Sequence, residues 1–116
     1  LAQPAVVNPP KVWHCALHEL DGAGVQSFTL TRLDNGYYSN DTPQVLTVLA
    51  DREQALILAS PMAGVIDGDF HEFIGAQTLA IDRRRRLARL SWDFLTGVRD
   101  KTFFGTCTPV SPDAKP

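Results

Sequence analysis

Four consecutive arginines, Arg83, Arg84, Arg85 and Arg86, stand in the stretch AIDRRRRLARLSW. A guanidinium is a planar, permanently charged fork that matches two oxygens of a phosphate, sulfate or carboxylate. The run is therefore a candidate for gripping an anion. It also suits a solvated hairpin tip, although like charges in series repel and glycine or asparagine would fit a tight turn better. That predicts a connection of four or five residues, neutralised in part by Asp82 and by an acidic loop elsewhere in the chain. Tyr37 and Tyr38 follow Asn35-Gly36 in a turn-rich stretch. They are candidate contact residues, since aromatics are enriched where proteins meet partners.

Other chemistry is thinner. The segment DGDFHE carries Asp67, Asp69, His71 and Glu72. Carboxylates two apart across a glycine resemble the start of a calcium loop. Counted from Asp67, however, the twelfth position is Thr78, which cannot supply the bidentate carboxylate such a loop needs. No metal site is assigned; Asp67, Asp69 and His71 are the residues from which one would have to be built. His14 and His18 are four apart. On a helix they would converge on a metal, but on a strand they share a face about 13 Å apart. There is no GxSxG, HExxH or glycine-rich phosphate loop, so no catalytic residue is assigned and no cofactor is called for.

The elements that position these residues read as strands. In KVWHCALHEL, Trp13, Cys15 and Leu17 alternate with His14, Ala16 and His18, and DGAG at Asp21–Gly24 supplies a turn. Phe28 and Leu30 share one side of VQSFTLTRL. Asp34–Gln44 is turn chemistry throughout and is read as a loop. VLTVLA and ALILAS flank the polar tip DREQ. QTLAID, RLARLSWDFL and KTFFGTCTPV complete the series, with Ala88, Leu90, Trp92 and Phe94 on one face. The segment 61–75 reads as a loop with a short element near Phe70–Ile74. About seven to eight strands with turn signals between them predict an all-β fold, a small antiparallel β-barrel or sandwich with meander-like connections. Residues 1–10, with three prolines, read as an extended arm, 11–110 as one β domain and 111–116 as a loose tail.

The chain has 116 residues, enough for one domain with a small core, and a net charge of −2. That balance hides an asymmetry. Arg83 to Lys101 carries seven basic residues against two acids, about +5, and the rest about −7. No apolar run is long enough to span a bilayer. The opening Leu-Ala-Gln-Pro fits a mature chain after signal-peptide removal, and a cytosolic chain could also begin this way. Two cysteines, Cys15 and Cys107, sit in the outermost strands. They are either buried thiols or a disulfide linking first and last strands. Closing a loop of about 90 residues is worth about 4.5 kcal/mol in the chain-entropy model. A disulfide places the protein in an oxidising compartment, periplasmic or extracellular.

The layout VWHC near the start and FFGTCTPV near the end resembles small bacterial periplasmic β-barrels, including lysozyme-inhibitor-type domains. In those, an early-strand cysteine can pair with one near the C-terminus. The likeness covers the two ends only. The Ser-Gly-x-Arg-Tyr type of inhibitory motif is absent, so no residues are carried over and no family is assigned. The expectation is a secreted or periplasmic non-enzymatic binding module with loop contacts, its partner a protein or an anionic envelope ligand. Alternatives are a polyanion binder working through Arg83–Arg86 and a small metal-dependent enzyme. The acidic balance and the inward phase of Trp92 and Phe94 argue against nucleic acid.

Overall fold

The computed structural model describes residues 11–40, 44–62 and 74–110. They form eight antiparallel strands: β1 (Val12–Glu19), β2 (Val25–Leu33), β3 (Gly36–Ser39), β4 (Gln44–Asp51), β5 (Ala55–Met62), β6 (Gly75–Asp82), β7 (Leu87–Phe94) and β8 (Lys101–Val110). Each pairs with its sequence neighbour, and β8 returns to β1, so the sheet closes into a meander barrel. Closure removes the exposed edges that an open sheet would offer to other chains. The assigned arm 1–10 and tail 111–116 lie outside the described residues.

Alternation builds the interior. Trp13, Cys15 and Leu17 of β1, Phe28 and Leu30 of β2, Leu56 and Leu58 of β5, Leu79 and Ile81 of β6, and Ala88 and Leu90 of β7 are all buried. Each buried leucine or isoleucine contributes about 1.5–3 kcal/mol over an exposed one. Side chains from opposite walls fill the barrel, and the Trp92 ring meets Phe103 edge-on at 4.9 Å. Cys15 and Cys107 face each other directly across the β1–β8 seam and are joined by a disulfide, both fully buried. The last strand is thus fastened to the first at the point where the meander must close.

Three features depart from the sequence reading. The segment 61–75 is not a loop at its ends, since Pro61 and Met62 continue β5 and Gly75 opens β6. Asp34–Gln44 is not a loop throughout. Asp34 and Asn35 make a tight turn, and β3 follows at once, paired with both β2 and β4. Glycine opens this strand because β4 runs very close: a Cβ on Gly36 would overlap the Leu46 carbonyl. In β4, the register shifts between Val48 and Ala50, leaving Leu49 as an extra, exposed residue. This bulge reverses the inside–outside phase of the residues after it. Asp51 consequently pairs with inward-facing Leu56 and turns towards the barrel mouth.

Candidate functional site

Strand direction sorts the loops onto two ends. The turns Asp34–Asn35, Arg52–Gln54 and Arg83–Arg86 share one end with Lys11 and Val110. The β5–β6 connection begins and ends at the other, where Met62 pairs with Gly75. The acidic stretch expected to neutralise the arginine tip belongs to that connection, so the expectation falls outside the described residues. Asp67, Asp69, His71 and Glu72 themselves lie outside the described residues, as does the element expected near Phe70–Ile74.

The four arginines span the whole β6–β7 turn, a four-residue connection as their mutual repulsion suggested. Asp82 organises it. Its Oδ1 accepts from the Arg84 and Arg85 amides at 3.0 and 3.0 Å, and its carbonyl accepts from the Arg86 amide at 2.7 Å. The chain re-enters the ladder through Arg86 at φ 59°, a left-handed conformation that L-residues adopt at a cost. The run is chemically divided. Arg83 turns back over the barrel mouth and pairs with Asp51 at 2.6 Å, while also donating to the Arg52 carbonyl. Arg84, Arg85 and Arg86 are exposed. Arg85 stands 3.9 Å from Asp82, a loose solvent-exposed contact worth little.

Below this tip the outer wall is hollowed. A groove of about 560 Å³ runs across β5 to β8, lined by Ala55, Ile57, Ala80, Leu87, Arg89 and Phe104, with Arg84 and Arg85 above. Register explains it. Ile57, Ala80, Arg89 and Phe104 are successive partners in one outward row. Small Ala80 and Ala55 set a low floor, and the long side chains of Arg89 and Phe104 raise one wall. Sequence reasoning passed over Arg89, Ile57, Ala80 and Phe104. One signal was available: Phe103 and Phe104 are adjacent on a strand, so only one can face inward. Phe103 is buried and Phe104 is 44 % exposed.

The two tyrosines separate. Tyr37, expected on a loop, is a strand residue only 1 % exposed, because its position on β3 is in phase with Leu46. Tyr38 faces out between Thr31 and Val45. It is not brought to the arginines, which lie three strands away. His14 and His18 are exposed on one face of β1, and no group of three or more metal-ligating side chains occurs among the described residues.

Tyr37 reaches the barrel mouth at the arginine end. Burial pushes its phenol above the ordinary value, and Asp51 adds to the shift, while the cations Arg32 and Arg83 oppose it. Arg83 opposes it both as a charge and as a nearby side-chain donor, although no contact of the hydroxyl among the described residues has hydrogen-bond geometry. At the other end, Gln77 donates to Ser60 at 2.9 Å inside the barrel, and Lys101 stands 3.6 Å from Glu19. Comparison with protein-family models, characterised proteins and solved structures yields no match.

Proposed function

We propose that the protein is a non-enzymatic binding module of an oxidising compartment, secreted or periplasmic, that holds an acidic partner in its arginine-rimmed groove. The groove carries this reading. Arg84, Arg85 and Arg89 surround an apolar floor of Ala55, Ile57, Ala80 and Leu87, with Phe104 exposed beside them. Charged rims steer association and fix register, while apolar floors supply affinity. A ligand with both acidic and apolar side chains, such as an acidic segment of a partner protein, uses both. An envelope polyanion would use the rim alone. Nucleic acid fits less well, because Phe104, the aromatic that lines the groove, offers one base a platform rather than several. The buried disulfide supports the compartment, since such bonds persist where the surroundings are oxidising.

The test is fluorescence anisotropy with a labelled peptide of alternating glutamate and leucine, and with polyglutamate as the rim-only ligand. Changing Arg84, Arg85 and Arg89 to serine should weaken both ligands and flatten their salt dependence. Phe104→Ala should weaken the peptide alone. If natively folded, disulfide-bonded protein binds neither ligand at low ionic strength, the proposal is wrong.

A further inference from the structure

We propose that the mouth of the barrel beside the β2–β3 turn is a second binding site, which takes a single carboxylate between Arg32 and the Tyr37 hydroxyl. A pit of about 280 Å³ opens there, lined by Arg32, Asp34, Tyr37, Val48 and Asp51 among others. Arg32 and Tyr37 are direct partners on β2 and β3, so their side chains enter from adjacent strands on one face. The Tyr37 ring is 1 % exposed, yet its hydroxyl makes no contact of hydrogen-bond geometry among the described residues, Arg83 being near enough to act on it without closing such a bond. A buried hydroxyl left unmatched is costly, and this one lines the pit, as the equally unmatched indole nitrogens of Trp13 and Trp92 do not, so a ligand there can satisfy it.

The charges select that ligand. Asp51 is engaged by Arg83 at 2.6 Å, whereas Arg32 makes no ion pair among the described residues. The open groups lining the pit are therefore the exposed Arg32 guanidinium, which only donates, and the protonated Tyr37 phenol. They call for an acceptor. Arg32, Arg83, Asp34 and Asp51 leave no formal excess of positive charge around the pit, so a monoanion is accommodated at less cost than the dianions of phosphate or sulfate. A monocarboxylate satisfies both conditions, with its two oxygens on the Arg32 fork and one shared with Tyr37. The bulge at Leu49 belongs to this design. Without it Asp51 would face outward, and Arg83 would stand unpaired over the pit. This site is separate from the outer groove, and its test does not depend on the outcome there.

A free small acid and the C-terminal carboxylate of a peptide present the same chemistry. The experiment therefore titrates ¹⁵N-labelled protein with propionate, and with N-acetyl-dialanine whose C-terminus is either free or amidated. Saturable shifts are expected at the Arg32 side chain and at the amides from Leu33 to Tyr37 with the carboxylates, and none with the amide. Saturation by propionate alone would assign the site to free acids, and by the peptide alone to C-termini. Tyr37→Phe keeps the ring and removes the hydroxyl. It should weaken binding about tenfold, the loss typical of a hydrogen bond to a charged group, while the thermal midpoint holds or rises. Arg32→Gln should abolish saturation. The proposal is overturned if the amide shifts the protein equally, or if no carboxylate saturates it by roughly 100 mM, far above a millimolar dissociation constant. It is also overturned if Tyr37→Phe lowers the midpoint and leaves affinity intact, the mark of a purely structural hydroxyl.

Discussion

Removing the Cys15–Cys107 bond by the double change Cys15→Ala, Cys107→Ala should cost the barrel a large share of its stability. The cysteines are 92 residues apart, so the bond forbids most open conformations of the unfolded chain. Loop-closure entropy of the form 2.1 + 1.5R ln n gives about 4.6 kcal/mol at 25 °C. Domains of this size have about 5–15 kcal/mol in total, so the variant sits near the edge of folding. With an unfolding entropy of about 2.1 cal/mol/K per residue, the 116-residue chain should lose about 19 °C in Tm. The packing loss is additional, because both sulfurs are fully buried. Urea denaturation of oxidised wild type and of the variant measures the effect. The m-value should rise as well, since an uncrosslinked chain exposes more surface when unfolded. If the two proteins differ by less than about 1 kcal/mol with equal m-values, the unfolded state is not constrained by the bond, and the entropic account of this seam is refuted.

Three further outcomes are expected. Gly105 sits on the same seam, where an added Cβ would lie 2.9 Å from the Leu17 Cα and closer still to the Ala16 carbonyl. Gly105→Ala should therefore destabilise by about 2–4 kcal/mol in chemical denaturation, because backbone on the neighbouring strand cannot move aside. Arg86 holds φ 59° in a run of like charges, so Arg86→Gly should raise stability by about 0.5–1 kcal/mol; an unchanged or lower midpoint would deny that the turn is strained. Tyr37 bears on alkaline unfolding. Burial raises its folded value above the ordinary 10.0, so the unfolded chain loses the phenolic proton first and stability falls as pH climbs past that value. A stability–pH series of Tyr37→Phe should show a shallower alkaline decline than wild type, and parallel curves would contradict the assignment.

The inward set of this barrel was legible along the chain because strand geometry is local. Trp13, Cys15 and Leu17, or Ala88 and Leu90, must share a face whenever the backbone is extended, whatever else the fold does. The same rule marked Arg83–Arg86 as a connection, since a polar run between two alternating segments has no core face to offer. Tertiary pairing decided the rest. Asn-Gly chemistry around Gly36 reads as a loop until β2 and β4 both supply hydrogen-bonding partners, and only then does Tyr37 turn inward. One extra residue at Leu49 moves Asp51 from the outer wall to the mouth, a phase change that exists only relative to β5. That shift separates Arg83 from its three neighbours, which share its side chain and its charge. The outer groove likewise needed four strands in register before Ala80 became a floor and Phe104 a wall. Periodicity dictates which way a side chain points; what it points at is set by strands far away in the chain.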